Sequence, residues 1–143
     1  MSLYDTDFYA WSQAQVDALE AQQWHALDLE HLMEEIADLG HEQRHAVSSQ
    51  LCRLLQHLLK WRYQPTHRSP SRRRSIRQAR HAIARRLEQS LSLRQAVPSL
   101  LDGEYRRARR EAQDETGLPL ATFPESCPWS VDQLLDEDVW PDV

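Results

Sequence analysis

DLEHLMEEIADLGHEQRHAVSSQLCRLLQHLLKWRYQP, residues 28–65, is the stretch on which the fold turns. At ~100° per residue, Leu29, Leu32, Met33, Ile36, Leu39, Val47, Leu51, Leu54, Leu58 and Trp61 keep to one stripe, which predicts a helix with a single apolar face. The stripe persists across Gly40, so the segment reads as one long helix or two nearly collinear ones. Proline disfavours helical backbone in the residue before it, so Pro65 ends the element. Unbroken to Gln64, it spans roughly 55 Å at 1.5 Å per residue.

Working outward, the N-terminal segment predicts a helix capped by Asp5 or Thr6 and running to about Gln22, with Phe8, Trp11, Val16 and Leu19 on one side. Downstream, residues 65–71 form a loop that ends in Ser71 or a nearby serine as a cap. A helix follows to about Gln89, burying Ile76, Ala79, Ile83 and Leu87. Residues 90–97 read as a turn of helix or a loop. Pro98 suits the first turn of a further helix that buries Leu101, Tyr105, Ala108 and Ala112 and stops at Gly117. Beyond it, Phe123, Trp129, Leu134, Leu135 and Trp140 punctuate a Pro-rich stretch with a short helix capped by Ser130. That pattern predicts a strap packed back onto the body. With three glycines and no β-branched runs, strands are not expected. The predicted fold is all-α: a mostly antiparallel helical bundle built on one long helix, a single domain over 1–143, with the bundle in 1–117 and the strap in 118–143.

The charges fall into three blocks. Residues 1–59 hold ten acids against Arg44 and Arg53, residues 60–110 hold fifteen bases against Glu88, Asp102 and Glu104, and residues 111–143 hold nine acids and no base. The blocks carry −8, +12 and −9, so a net charge of −5 hides a strong segregation. Fourteen of the fifteen central bases are Arg, whose planar fork pairs carboxylates and phosphates in bidentate fashion. No run of even a dozen apolar residues occurs, and the first residues carry acids where a secretory leader carries bases. A cytoplasmic protein without a membrane segment is therefore expected. Cys52 and Cys127 lack CxxC spacing and read as structural thiols.

Several segments together carry a resemblance: Leu3 to Trp11 (LYDTDFYAW), Leu27 to Ile36 (LDLEHLMEEI), His57 to Pro65 (HLLKWRYQP), Glu115 to Leu118 (ETGL), and Phe123-Pro124 through Cys127-Pro128-Trp129. In content and order they resemble the bacterial domain of unknown function family twenty-nine over nearly the whole chain. The resemblance implies an all-helical fold and a bacterial source. It implies no activity, so no catalytic residue is carried over. It also leads to the expectation of a Trp close to Ser71, where this chain has Arg, which makes the basic loop more extreme.

Three constellations bear on function. Arg72, Arg73, Arg74, Arg77 and Arg85 on the predicted third helix and Arg106 and Arg110 on the fourth form a candidate anion- or partner-binding face. The plainer reading pairs them with Glu30, Glu34, Glu35, Asp38 and the tail carboxylates of the same or a neighbouring chain. On the long helix Glu34, Asp38, His41 and His45 have helical spacing suited to a metal, but the stripe faces away from the apolar seam and other helices offer few acids. In the run Trp61-Arg62-Tyr63, phase puts Trp61 in the core and leaves Tyr63 as the exposed aromatic. No nucleophile, phosphate-loop or zinc-protease motif occurs, and no cofactor is called for. The reading favoured is a non-enzymatic protein-interaction module that pairs with a protein partner or with itself. A nucleic-acid-binding regulator using the same arginines is the alternative, and a metal-dependent hydrolase comes third.

Overall fold

The computed structural model describes residues 2–141, and these divide into two compact units, Met1–Glu42 and Gln43–Val143. Every regular element among the described residues is helical: α1 (Leu3–Thr6), α2 (Phe8–Glu20), α3 (Leu29–Tyr63), α4 (Pro70–Glu88), α5 (Leu91–Thr116) and α6 (Val131–Leu135), with single turns of 3-10 helix between them. The all-α expectation holds, and α3 is one element that passes through Gly40 without a break. No helix of the described residues is long and apolar enough to cross a membrane.

In the first unit the expected single N-terminal helix is two. Asp7 leaves the helical region (φ −152°, ψ 84°), and its carboxylate accepts the Ala10 N–H at 3.0 Å, so Asp7 rather than Asp5 or Thr6 caps α2. The buried face of α2 is Trp11, Gln15 and Ala18, at i, i+4, i+7, while Phe8, Val16 and Leu19 lie off it and are about half exposed. The reason is what α2 meets. The Trp11 indole N–H donates to Asp28 Oδ2 at 3.0 Å, and the Asp28 N–H donates to Gln15 Oε1 at 2.8 Å. Asp28 also holds the His31 ring at 2.6 Å, and Tyr4 stacks on that ring at 3.8 Å while donating its hydroxyl to Glu35. The Asp28 carboxylate in turn holds the His31 imidazole above its ordinary pKa. The N-terminal segment thus covers a polar edge of α3. Leu29, Met33, Ile36 and Leu39, expected to continue the buried seam, remain 60–66% exposed.

In the second unit the seam closes. Val47, Leu51, Leu54, Leu55, Leu58, Leu59 and Trp61 of α3 pack with Ile76, Ala79, Ile83 and Leu87 of α4 and with Val97, Tyr105, Ala108 and Ala112 of α5. Cross-helix bonds fix the directions. Gln43 meets Arg86 and Gln64 meets Arg72, so α3 and α4 are antiparallel; Cys52 meets Glu111 and Lys60 meets Glu115, so α3 and α5 run parallel. Ser69, not Ser71, caps α4 by accepting the Arg72 N–H. The fourth long helix starts earlier than Pro98: Ser90 caps α5, and Pro98 lies inside it at an exposed position where water can take the carbonyl left without a donor. The strap folds back as expected, burying Phe123, Trp129 and Leu134, and Ser130 with Gln133 forms a reciprocal capping box on α6.

Gly117 ends α5 in the left-handed region (φ +71°), with its N–H on the Gln113 carbonyl. Gly103 lies in the same helix, and a Cβ there would meet nothing within 4 Å. Urea unfolding is expected to show Gly103→Ala more stable by about 0.5–1 kcal/mol and Gly117→Ala less stable by about 1 kcal/mol. Equal effects of the two substitutions would contradict this end to α5.

Candidate functional site

A guanidinium needs acceptors in proportion to how far it leaves water, and the arginines of residues 60–110 sort on that basis. Arg80 is 2% exposed, and burial lowers its pKa against the pull of Asp136 and Glu137. Its Nε donates to the Leu134 carbonyl at 2.7 Å and one terminal nitrogen to the Gln133 carbonyl at 3.3 Å, so it closes the end of α6. Arg109 donates to the carbonyls of Leu120 and Phe123 at 3.0–3.3 Å. These two side chains fasten the strap.

Two tryptophans from distant parts of the chain carry the next group. Trp61 and Trp140 have ring centroids 5.0 Å apart. The Cζ of Arg68 lies 5.0 Å from the centre of the Trp61 ring, and that of Arg73 lies 5.6 Å from both rings. Arg77 and Arg80 stand over Trp140 at 5.8 and 5.7 Å. Such contacts stabilise by roughly 0.5–2 kcal/mol each and orient long side chains that would otherwise sweep through solvent. Arg68 is fixed further by donating its Nε–H to the Trp61 carbonyl at 2.8 Å.

Among the residues singled out in the sequence, Arg73, Arg74 and Arg77 come together with Trp61 and Arg68 around one cavity of about 430 Å³. Arg72 turns aside to Gln64 at 3.0 Å. Arg85 lies beside Arg86 in a separate shallow depression, and Arg106 and Arg110 line another with Arg107 on α5. Tyr63, expected in solvent, is half-buried with its ring edge-on to Phe123 at 5.5 Å, because the strap returns over it. Glu34, Asp38, His41 and His45 are exposed on α3, and the described residues bring no three His, Cys, Asp or Glu together in a metal-holding group. Arg68 and Trp140 carry no signal for this region in the sequence, and the expected core does not include Arg80. For Arg80 a signal existed, since it lies four residues after Ile76 on the buried face.

Carboxylates are scarce here. Among the described residues the ion pairs are His31–Asp28, Lys60–Glu115 at 2.5 Å and Arg107–Glu104 at 3.3 Å. Of the fifteen central bases, only Lys60 and Arg107 therefore meet a carboxylate among the described residues. Glu137 of the strap shares a depression with Arg74, Arg77 and His81 without reaching ion-pair distance. The thiols offer no nucleophile: burial pushes Cys52 up to about 12, with Glu111 adding to the effect, and burial also raises Cys127.

The chain belongs to the family described as Domain of unknown function DUF29, whose model matches residues 3–140. No curated protein and no solved structure matches it.

His57 has its Nδ1 out of water and unpartnered among the described residues, and burial, Lys60 and Arg53 push its pKa down to about 4. Between pH 6.5 and 4 the unfolded chain binds a proton that the folded chain refuses, so stability falls as pH drops through that window and levels off below it. The expected loss is about 2–3 kcal/mol. Urea unfolding of His57→Gln should be nearly flat over the same range; an unchanged slope would contradict the assignment to His57.

Proposed function

We propose that this member of a family without an assigned activity is a non-enzymatic interaction module that associates with a second copy of itself. The acidic first unit of one chain would dock on the arginine-bearing helices α4 and α5 of another. The observation that carries the reading is the unpaired state of the arginines: thirteen of the fifteen bases in residues 60–110 have no carboxylate within ion-pair distance among the described residues.

The first unit has the complementary surface. Residues 1–42 hold ten acids and no Lys or Arg, leaving −10, whereas residues 43–143 hold the remaining twelve acids against seventeen bases and carry +5. Glu30, Glu34 and Asp38 flank the exposed Leu29, Met33, Ile36 and Leu39 on α3. An apolar stripe rimmed by charge is the composition of a protein–protein interface, with an apolar centre and a polar rim. Nucleic-acid interfaces are polar and strongly basic throughout, and an exposed stripe of Leu, Met and Ile has no use there. Like-charge repulsion works against first units facing one another, so the acid face is best matched by the basic unit of the second chain.

Charge pairing at such an interface weakens as the Debye length falls to ~10 Å and below with added salt. Light scattering should show self-association at low salt that declines at high salt. The double variants Glu34→Lys with Asp38→Lys, and Arg74→Glu with Arg77→Glu, should each lose it when alone. Mixed in equal amounts they should recover it, because each restores the opposite sign for the other. Monomers at both salt concentrations, or low-salt binding of a DNA or RNA oligomer in place of self-association, would overturn the reading.

A further inference from the structure

We propose that the cavity at the start of α4, whose Arg73, Arg74 and Arg77 also lie on the face given above to self-association, is a binding site for a phosphate dianion that competes with the partner's acids. The dianion can be free or the terminal group of a small phosphate ester.

The cavity, about 430 Å³, is lined by Arg68, Arg73, Arg74 and Arg77 with Trp61 and Ser69, and no carboxylate of the described residues lines it. Four positive charges facing one space repel each other unless an anion enters. Two further observations show that the described residues leave the repulsion unrelieved. Arg68 Nη2 and the neighbouring Arg72 Nη1 are out of water with no acceptor, so part of the positive charge is desolvated and uncompensated. The ion pairs of the described residues involve none of these five side chains.

The arginines are also held in place. Arg68 is bonded to the Trp61 carbonyl and stacked on the Trp61 ring, and Arg73 and Arg77 stand over the Trp61 and Trp140 rings. Holding the forks before a ligand arrives lowers the entropy lost on binding. Ser69, the cap of the 19-residue α4, lines the cavity, and the helix dipole adds positive potential there.

Several forks converging from different side chains suit a tetrahedral group better than a planar one. A carboxylate offers two oxygens, while a phosphate dianion offers three or four acceptors and twice the charge. Trp61 is 6% exposed, and two guanidinium groups stand over its ring, so the site has no free aromatic face for a base. Recognition therefore rests on the phosphate group itself.

The test is a titration of the full chain followed by amide and arginine Nε nuclear magnetic resonance, at constant ionic strength, with inorganic phosphate, glycerol 3-phosphate and acetate as probes. The expected result is saturable shifts at Arg68, Arg73 and Arg77 with inorganic phosphate, at least ten-fold weaker binding of acetate, and ten-fold weaker phosphate binding in Arg73→Gln and in Arg77→Gln. Arg85→Gln, in a separate depression, should bind phosphate as the native chain does. Saturation by glycerol 3-phosphate as well would identify an ester end group as a ligand, and saturation by phosphate alone would identify the free ion. Linear shifts with both phosphate probes, or equal losses in Arg77→Gln and Arg85→Gln, would overturn the proposal.

Discussion

The second unit depends on the backbone oxygens that two guanidinium groups find where they leave water. Arg80, almost wholly buried, receives the carbonyls at the end of α6, and Arg109 receives those of Leu120 and Phe123. A lost hydrogen bond to a buried charged group costs about 1.5–3 kcal/mol, so these bonds are strong constraints on where the strap lies. Once the strap is fixed, Trp140 stands against Trp61, and the pair supports Arg68, Arg73 and Arg77. The arginines that hold the fold and those that face outward therefore belong to one arrangement. Inward ones take backbone carbonyls, and outward ones other than Arg107 meet no carboxylate among the described residues.

The first unit solves a different problem. It has few large apolar side chains to bury, and its contacts centre on one carboxylate: Asp28 accepts from the Trp11 indole and holds the His31 ring on which Tyr4 stacks. That network draws α1 and α2 to the polar edge of α3 and leaves Leu29, Met33, Ile36 and Leu39 uncovered. Exposed apolar side chains at four successive helical-spaced positions need a partner more than scattered ones do. The same unit carries all ten acids of residues 1–42 and no Lys or Arg, and the rest of the chain carries the net positive charge. Apolar exposure and charge segregation thus point to the same kind of occupant.

How much of this was legible in the sequence followed from which interactions are local. Helical periodicity located α3, the buried face of α4 and the Gly117 stop, and Ser130 announced the cap of α6, because each is set within a few residues. Periodicity shows that a face is apolar but not what covers it, so the stripe from Leu29 to Leu39 was read as a continuation of a seam that closes only from Val47 onward. Pro98 was taken for a beginning, although an exposed proline inside a long helix leaves only one carbonyl for water to satisfy. Arg80 lies on the buried phase of α4, and phase alone does not name what receives its charge. Its acceptors lie more than fifty residues away, on backbone that no side-chain pattern reveals. The candidate site was visible in its residues and not in its grouping: Arg73, Arg74 and Arg77 share a cavity with Arg68, while Arg85, Arg106 and Arg110 do not line it.

The central claim is that the acid and apolar face of one chain meets the arginine helices of another, and intermolecular paramagnetic relaxation tests it most directly. A spin label at Ile36→Cys, in a chain with Cys52→Ala and Cys127→Ser, is mixed with isotope-labelled native chain at low salt. The account predicts broadening of amides on α4 around Arg73–Arg77 and on α5 around Arg106–Arg110 of the isotope-labelled partner, relieved by added salt. Broadening confined to residues of the first unit, or none at all, would contradict it.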